Sequence, residues 1–542
     1  MKISRKSLVG LFLVLGLSAV LDTVVAWKAS ATIDESHHVQ YGEKVLRFEP
    51  DRLSDGFYDS QMPVSALNAA PLVLAAHFET RHLLRPFSAQ VKLVLVRIAT
   101  ILATLALNLL VYLWAYDLYG EAAALASCLL CALSPNLIAH GTLATTDMYH
   151  ALGVVASLFF FRRFLLQPTV TRALASGLIL AMTQITKGFA IVLYAIVCLA
   201  IVLVVFRRTP SVSLTPRRAL LFAAVTAMSF IAIINVAFCF DRTFRPVSYY
   251  LGESQHHFYS ASIARVRKVP FLVHVPVPVP FPFVQGFALM KRVEKTGYSN
   301  WSTGDVYLLG EVRDPHDPAF HGFKSYYAVA FFYKEPIALQ VLFLWGLVWI
   351  CRNRKFRDFV VGEGLLLTAA AVLVLWLSLF SRMQIGIRHI LPALAIETII
   401  AGAAFSGFPA KPWPQKALLS ALVLWLAGSV ASYYPQMIPY MNEWVHDRCF
   451  AYRILADSNL DWGQDQTIVS EFLRQNPDVV LDPPAPVAGR ILVSANRLTG
   501  VSRWGSATYL AQRYQPVAQV GYAHFLFVIP AGDVASAPPR RP

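Results

Sequence analysis

The sequence brings two carboxylates and two imidazoles together in residues 33–38, which are Ile-Asp-Glu-Ser-His-His. This stretch follows the first long apolar segment and is the first strongly polar sequence after it. Acids at the water boundary of a membrane can accept a proton from a bound substrate without the full cost of burial in lipid. We therefore interpret Asp34 and Glu35 as a catalytic acid pair.

Asp147 is a third acid beside an apolar segment, in the sequence Thr145-Thr146-Asp147. Taken alone it could be a helix cap, because Thr and Asp commonly begin helices. The chain topology described below puts Asp147 and Asp34 on one side of the membrane. This shared side favours a joint role for the three acids at one site.

Cations are expected to face the same surface as the acids. Lys187 lies between two apolar runs, and Arg388 with His389 begins another. An ionisable group at such a depth usually has an anionic partner. Snorkelling toward lipid headgroups is an alternative for Lys187, whereas the rigid fork of Arg388 favours bidentate binding of phosphate or carboxylate.

His37 and His38 have the ligand chemistry for Zn²⁺ or Mn²⁺. Adjacent histidines point in different directions on a helix or strand and rarely bind one ion together. We expect no metal site and no required cofactor, with a divalent metal as the alternative. Cys128 and Cys131 have C-x-x-C spacing inside an apolar run, which favours small-residue packing over redox chemistry. The sequence has no Walker motif, Rossmann glycine fingerprint, HExxH motif or GxSxG elbow in a suitable context, which argues against nucleotide-driven transport and the commonest hydrolases.

The composition indicates a polytopic membrane protein. Of 542 residues, 56% are hydrophobic and 15% are charged, and a soluble domain could not bury so much apolar surface. The net charge of +15 is divided into small clusters between apolar runs, whereas a nucleic-acid-binding protein needs one basic face. The charge distribution is instead typical of cytoplasmic loops.

About 11 apolar segments are suited to crossing a bilayer, although a few are short for a perpendicular crossing. They occupy residues 1–27, 92–115, 121–139, 148–166, 173–187, 189–206, 219–240, 336–350, 364–381, 390–408 and 417–434. The first is expected to be a retained helix because it is long enough to span the hydrocarbon. The alternative is a signal peptide cleaved near Ala29-Ser30-Ala31.

The basic clusters between these segments set the orientation. With the amino terminus in the cytoplasm, every cluster falls on the cytoplasmic side, as the positive-inside rule requires. The clusters are Arg162, Arg163 and Arg172; Arg207, Arg208, Arg217 and Arg218; Arg352, Arg354, Lys355 and Arg357; and Lys411 and Lys416. This agreement requires that residues 173–206 form two short helices. A single helix there would invert the predicted orientation of every later segment.

Most of the polar sequence outside the apolar segments is therefore expected on the extracytoplasmic side. It comprises a polar loop over residues 28–90, a short loop near residues 134–147, a large loop over residues 241–335 and everything after about residue 434. Within the large loop, prolines at every second or third position between Val269 and Phe283 forbid helix and favour an extended strand.

Two domains and a tail follow from this division. Residues 1–434 form the transmembrane module. Residues 435–530 are predicted to form a small α+β domain with strands at Arg490–Ser494 and Ala523–Ile529. The proline-rich residues 531–542 are predicted to be disordered.

Several short motifs run from the first loop to the start of the terminal domain. They are Asp34-Glu35, Tyr41-Gly42, Ser134-Pro135-Asn136, His140-Gly141, Thr145-Thr146-Asp147, Ile185-Thr186-Lys187, Trp301, Gly310-Glu311, Tyr326-Tyr327, Lys334-Glu335-Pro336, Gly386 to Pro392, and Asp457 to Asp465. In these motifs the chain resembles the lipid-carrier-dependent glycosyltransferases of the C superfamily (GT-C). Within them it is similar to the bacterial relatives of protein O-mannosyltransferases and of the lipid A aminoarabinose transferase.

The resemblance implies a GT-C fold and a sugar donor linked to polyprenyl phosphate. It also implies transfer to an acceptor hydroxyl of a lipid, glycan or protein on the outer face, with inversion. Asp34 matches the family's base, which takes the hydroxyl proton as the acceptor attacks an oxocarbenium-like carbon, with Glu35 and Asp147 in support. Lys187, Arg388 and His389 would supply positive charge to the phosphate leaving group.

The sequence therefore predicts an all-α polytopic protein with a small α+β domain in the bacterial inner (plasma) membrane. Its amino terminus is predicted to be cytoplasmic and its carboxy terminus extracytoplasmic. The resemblance implies a hexosyl- or pentosyltransferase that works among membrane lipids and uses a lipid-phosphate sugar donor. The alternative is a transporter or flippase of lipid-linked saccharides. The lack of an internal repeat and the large outer loops favour the enzyme. A third alternative is a non-catalytic assembly partner with the same fold.

Overall fold

The computed structural model describes residues 3–52, 61–81, 85–206, 214–253, 269–296, 305–314, 317, 322–502 and 505–536. Trp301, one of the motif residues, and the end of the tail, residues 537–542, lie outside the described residues. The α-helices are Arg5–Lys28, Ile33–Leu46, Ala66–Thr80, Ala89–Tyr119, Glu121–Ala132, Pro135–Gly141, Asp147–Leu166, Val170–Thr183, Val192–Phe206, Pro216–Ala237, Val247–Glu253, Pro270–Val273, Phe281–Thr296, Tyr326–Lys334, Ile337–Asn353, Phe356–Val360, Glu363–Phe380, Leu391–Gly402, Trp413–Ala431, Gln466–Gln475, Ala495–Thr499 and Thr508–Arg513. Short 3-10 helices include Gly188–Ile191, Ile387–Ile390 and Asp457–Asn459.

The membrane-length helices agree with the predicted segments. Among the described residues, 7 helices are long and apolar enough to cross a membrane, or up to 9 if each of two bent pairs is one span. Two shorter apolar helices, Val170–Thr183 and Gly188–Val204, account for the remaining two predicted segments. Residues 173–206 are thus confirmed as two helices, and the fold class predicted from the sequence is confirmed. The count of 11 crossings stays a prediction.

Both bent pairs break at a proline. The helices Glu121–Ala132 and Pro135–Gly141 meet at 62°, and Tyr326–Lys334 and Ile337–Asn353 meet at 110°. Proline cannot donate a backbone hydrogen bond to the preceding turn, and it forces the residue before it into an extended conformation. Ser134 and Glu335, which precede the two prolines, accordingly have ψ angles of 117° and 133°.

The loop over residues 28–90, whose sequence has some amphipathic character, contains two helices, Ile33–Leu46 and Ala66–Thr80. One prediction for the outer loops needs correction. The proline-rich stretch is not extended throughout. It contains the helical turn Pro270–Val273 and the start of Phe281–Thr296, since proline is compatible with the first turn of a helix.

Asp147 and one of the basic clusters lie at opposite ends of one helix. Helix Asp147–Leu166 begins at Asp147, and Arg162 lies about 22 Å along the axis at 1.5 Å per residue. At that far end Asp117 accepts hydrogen bonds from Arg162 and Arg163 at 3.5 and 2.7 Å. Asp147 and this cluster are therefore separated by most of the ~30 Å thickness of the hydrocarbon.

The terminal domain contains a four-stranded mixed sheet. Its strands are β3 Val480–Leu481, β4 Gly489–Ser494, β5 Ala518–Val520 and β6 His524–Ile529, in the order β3-β4-β6-β5. A separate hairpin joins β1 Val306–Leu308 to β2 Glu311–Arg313. The strands predicted at 490–494 and 523–529 are thus confirmed.

Successive side chains of β4 and β6 point to opposite faces of the sheet, and both faces are buried. Ile491 and Phe527, which are paired across β4 and β6, pack into the main core of the protein. Leu492 and Leu526, one residue further along, pack against Val469 of helix Gln466–Gln475. The sheet therefore lies between that helix and the membrane module. Of the predicted disordered tail, Ala531–Ser536 forms a 3-10 helix.

Candidate active site

The helix Ile33–Leu46 holds the acid pair in its first turn. Thr32 is the N-cap, with extended backbone angles of φ −80° and ψ 160°, and forms a capping box with Glu35. In this arrangement the backbone N–H of Thr32 donates to Glu35 Oε2 at 2.9 Å. Asp34 is thereby fixed at a helix amino terminus, where the helix dipole favours negative charge.

Glu35 forms a buried ion pair with Arg97. Arg97 is fully buried and Glu35 is 2% exposed, and Arg97 donates from Nε and Nη2 to the two carboxylate oxygens at 2.8 and 2.7 Å. The other N–H groups of Arg97 bind three backbone carbonyls at the end of the first helix. The backbone N–H of Ala144 also donates to Glu35, at 2.8 Å. Every one of these contacts is internal, which fits a residue that positions Asp34 better than one that touches substrate.

Asp34 is paired with Arg388, which lies 354 residues away in the chain. Arg388 Nη1 donates to Asp34 Oδ2 at 2.8 Å. Asp34 is 26% exposed and Arg388 is 8% exposed, so the carboxylate is the accessible member of the pair. Burial alone would raise the pKa of Asp34, but the combined charge and hydrogen-bond effects of its neighbours, chiefly Arg388, outweigh it, so the pKa lies below the ordinary value and Asp34 stays ionised.

Asp147 and Lys187 form a second ion pair. Lys187 Nζ donates to Asp147 Oδ1, and Thr145 Oγ1 donates to Asp147 Oδ2 at 2.9 Å. Both side chains are buried, so Lys187 does not snorkel to the headgroups. Asp147 is the first residue of its helix, and Thr146 occupies the N-cap position. Asp147 is therefore not the N-cap of its helix, and Lys187 does not extend to the lipid headgroups.

The two ion pairs belong to one cluster. The charge of Asp147 acts on Asp34, and the charges of Arg388 and Asp34 act on Lys187. His38, which is buried beside them, is within electrostatic reach of all four groups. Burial lowers the pKa of His38 to about 4 despite its acidic neighbours, so His38 is neutral at physiological pH.

His389 lies at the Lys187 side of this cluster. Its Nδ1 is 3.1 Å from the hydroxyl of Tyr327. Its ring meets the ring of Phe189 edge-on at 6.1 Å, and Lys187 Nζ lies 5.4 Å from the same Phe189 ring. The structure thus brings together all six residues predicted for the site. Asp34, Asp147, Lys187, Arg388 and His389 lie around the two ion pairs, and Glu35 follows Asp34 on its helix without belonging to either pair.

Sequence reasoning missed two contributors to the site. The first is Arg97, whose only signal is a charge inside the apolar segment that begins at residue 92. The second is the segment Asp457 to Asp465, which was recognised as a motif without a role. Its Asp457 lies within electrostatic reach of Asp34 and Arg388. Burial raises the pKa of Asp457 to about 6, against the opposing effect of Arg388.

Gly386 is a point of close approach between Arg388 and this terminal segment. Its φ angle is +145°, and a Cβ there would lie 2.4 Å from Ser458 Oγ. We expect Gly386→Ala to destabilise the protein by about 1–3 kcal/mol through backbone strain and this clash. Thermal unfolding of the purified variant measures the effect. Gly428→Ala is the matched control, because its Cβ would meet nothing within 4 Å and it should leave the melting temperature unchanged or slightly raised.

A charged hydrogen bond fastens the end of the terminal segment to the sheet. His524 Nδ1 lies 2.9 Å from Asp465 Oδ2, and Asp465 is fully buried. Burial alone would lower the pKa of His524, but the hydrogen bond and charge of Asp465 outweigh it and raise the pKa to about 9. The folded protein therefore binds this proton more tightly than the unfolded chain, whose His titrates near 6.5.

This pair predicts a pH-dependent stability. Its contribution, about 1.5–3 kcal/mol for a charged hydrogen bond, is fully present below pH 6.5 and is lost as the pH rises through about 9. We expect the melting temperature of the wild type to fall between these values and that of His524→Asn to fall less. His77→Asn, at an exposed histidine, should keep the wild-type profile. Identical profiles for wild type and His524→Asn would refute the assignment.

No group of three or more His, Cys, Asp or Glu side chains in the described residues could hold a metal ion. Cys128 and Cys131 are free and buried in the helical core. Positive charge at the site comes from Lys187 and Arg388. The arrangement thus offers an accessible carboxylate beside two cations, which suits proton abstraction next to an anionic group.

Comparison with known proteins gives one family match and several distant structural ones. Residues 87–235 match the family model of dolichyl-phosphate-mannose-protein mannosyltransferases. A search of curated proteins gave no match. The oligosaccharyltransferase AglB of Archaeoglobus fulgidus, in complex with an inhibitory peptide and a dolichol-phosphate, aligns at 13% identity and a TM-score of 0.48. That alignment covers 86% of this chain and 59% of AglB, so the chain spans about three fifths of that protein.

ArnT of Cupriavidus metallidurans in the apo state aligns at 14% identity over 95% of this chain and 97% of ArnT, with a TM-score of 0.30. Its form bound to undecaprenyl phosphate aligns over 96% of this chain, at 14% identity and a TM-score of 0.31. The family match begins just before helix Ala89–Tyr119 and ends within helix Pro216–Ala237. It therefore includes both Asp147 and Lys187. In this region the chain is similar to the dolichyl-phosphate-mannose-protein mannosyltransferases, which agrees with the resemblance to membrane glycosyltransferases predicted from its motifs.

Proposed function

We propose that this protein transfers a sugar from a polyprenyl-phosphate donor to an acceptor hydroxyl at the extracytoplasmic surface of the membrane, with inversion at the sugar carbon. The observation that carries the proposal is the accessible Asp34 carboxylate paired with Arg388 beside the buried Asp147–Lys187 pair. The family match to mannosyltransferases supports the same chemistry. The ArnT structure with undecaprenyl phosphate supports a lipid-phosphate donor.

The reaction needs a proton acceptor for the attacking hydroxyl. Asp34 is ionised and is the most exposed member of the two ion pairs. As the acceptor oxygen forms its bond to the sugar carbon, the hydroxyl proton passes to an Asp34 oxygen. Attack from the face opposite the leaving group gives inversion, and an oxocarbenium-like transition state tolerates a weak base.

The leaving phosphate takes the electron pair of the broken carbon–oxygen bond. It is already a good leaving group, so it needs positive charge rather than a proton donor. Lys187 and Arg388 lie in one cluster and would provide that charge, with His389 beside Lys187 through the shared Phe189 ring. Their ion pairs with Asp147 and Asp34 hold both cations in place before the donor arrives.

The positions of the helix ends support a site at the outer surface. The site lies at the start of helix Asp147–Leu166, and the arginines Arg162 and Arg163 lie at its other end. Since such clusters mark the cytoplasmic side, the site is expected on the opposite face, with the terminal domain around it. The bacterial inner membrane, with the amino terminus inside and the carboxy terminus outside, is the location that fits.

A labelled donor separates this enzyme from a flippase of lipid-linked saccharides. Purified protein in proteoliposomes is supplied with a polyprenyl-phosphate sugar that carries an isotopic label. We expect the label to become covalently attached to an acceptor, with free polyprenyl phosphate as the second product. Movement of intact donor across the bilayer without bond cleavage would support the flippase, and binding without either would support an assembly partner.

A further inference from the structure

The terminal segment Asp457 to Asp465 contacts Arg388 and the backbone of Ile33, the residue before Asp34. This segment is distant in sequence from both residues and belongs to the domain that follows the last membrane helix. Its residues Asn459, Trp462 and Gln464 are each 4% exposed or less. The contacts are therefore internal ones that hold the site together.

On one side the segment holds Arg388. The backbone N–H of Ile387 donates to Asn459 Oδ1 at 3.0 Å, which fixes the residue before Arg388. The Arg388 guanidinium carbon lies 4.2 Å from the centroid of the Trp462 ring. A guanidinium stacked on an indole face keeps its edge directed away from the ring, toward anionic groups.

On the other side the segment holds the first loop. The Trp462 carbonyl accepts a hydrogen bond from the Ile33 N–H at 3.1 Å, immediately before Asp34. The Gln464 carbonyl accepts one from the Ser30 N–H at 2.8 Å. Trp462 thus contacts Arg388 through its ring and the residue beside Asp34 through its backbone.

The segment is itself anchored in the membrane module. Lys334 Nζ donates to the Asn459 carbonyl at 2.6 Å and to two further carbonyls, those of Ile438 and Tyr440. Asn459 Nδ2 donates to the Tyr326 hydroxyl at 2.9 Å. Lys334 is 1% exposed, and its three hydrogen bonds all go to backbone oxygens. Asn459 therefore has little freedom to move relative to Ile387.

We propose that Trp462 and Asn459 are positioning residues that set the orientation of Arg388 toward Asp34 and toward the donor phosphate. The terminal domain then completes the active site instead of only covering it. This proposal rests on the proposed function for its phosphate, but the geometry that it assigns to Arg388 can be tested without any substrate.

The substrate-free test measures how fast phenylglyoxal modifies Arg388 in the full-length protein, quantified by peptide mass spectrometry. Trp462→Leu removes the aromatic face, and we expect the modification of Arg388 to be several-fold faster than in the wild type. Trp462→Phe keeps a π face and should restore slow modification. Arg97, which is fully buried, is the internal control for folding, and Trp444→Leu, at a half-exposed Trp stacked on Phe332, is the matched control.

An unchanged rate at Arg388 in Trp462→Leu, with Arg97 still protected, would overturn the proposal. Should Trp462→Leu unfold the protein, Asn459→Ala is the second variant. It removes the acceptor for the Ile387 N–H and the donor to Tyr326, so the modification of Arg388 should again be several-fold faster, and an unchanged rate with Arg97 still protected would overturn the proposal.

Transfer kinetics give the second readout. We expect Trp462→Leu to raise the KM for the lipid-linked donor about tenfold while the KM for the acceptor is unchanged, and Trp462→Phe to recover most of the loss. An equal effect on both substrates would indicate a merely structural role and overturn the proposal. If the wild type transfers no sugar but Arg388 is exposed in Trp462→Leu, the proposed function fails and the positioning role stands.

Discussion

Asp34→Asn is expected to lower the turnover number by on the order of 10²–10⁴-fold, the contribution of a general base. The amide is close to the carboxylate in size but cannot take the hydroxyl proton. It also removes the negative partner of Arg388, which should bind the donor phosphate at least as tightly as before. The expected pattern is therefore a large loss in kcat with an unchanged or lower KM for the donor, measured with purified protein and a polyprenyl-phosphate sugar.

The control for this variant is Glu43→Gln on the same helix. Glu43 pairs with Arg47 one turn later, and the Arg47 side chain is 71% exposed. Exposed pairs of this kind contribute little, so its turnover should equal that of the wild type. Turnover within a few-fold of the wild type in Asp34→Asn would remove Asp34 as the base and direct attention to Asp457.

Glu35→Gln is expected to destabilise the folded protein by about 3–5 kcal/mol, because it leaves the Arg97 charge buried without its partner. Arg97 has no exposed surface through which water could compensate. The same substitution weakens the capping box that begins the Asp34 helix. Unfolding by SDS in mixed micelles gives the change in free energy, and the amount of folded protein in membranes should fall with it.

A double variant distinguishes the ion pair from other causes. Replacing both partners with apolar residues, Glu35→Leu with Arg97→Leu, removes the uncompensated charge, so its cost should be less than the sum of the single costs. Glu79→Gln is the matched control, since Lys92, at 3.2 Å from Glu79, is 38% exposed. We expect that control to cost about 0–1 kcal/mol. Strictly additive costs for the double variant would show that Glu35 and Arg97 do not act as a pair.

The elements of the site that the sequence predicts are those with a local signal. Asp34, Asp147, Lys187 and Arg388 are charges at the ends of apolar segments, and lipid makes such charges rare unless they have a use. The parity of the basic clusters then puts all four on one side. The breaks at Pro135 and Pro336 also have a local cause in the sequence, although residues 121–139 were predicted as a single apolar segment.

Contacts between residues that are far apart in the sequence have no such local signal. Nothing near Asp34 indicates that its partner is Arg388 rather than Lys187, because 354 residues and many helices lie between them. The Trp462 contact is equally non-local, and the segment 457–465 has no apolar period that would fix its position. The helix Ile33–Leu46 was predictable in part, since Thr32 and Glu35 have the spacing of a capping box.

The central claim is that Lys187 and Arg388 together bind the phosphate of a lipid-linked donor next to Asp34. The most direct measurement is a cryo-EM structure of the purified protein with polyprenyl phosphate. We predict phosphate density within hydrogen-bond distance of the Arg388 guanidinium and the Lys187 ammonium, with the prenyl chain leaving toward the lipid. Phosphate bound elsewhere, with the Asp34–Arg388 and Asp147–Lys187 pairs unoccupied, would contradict it.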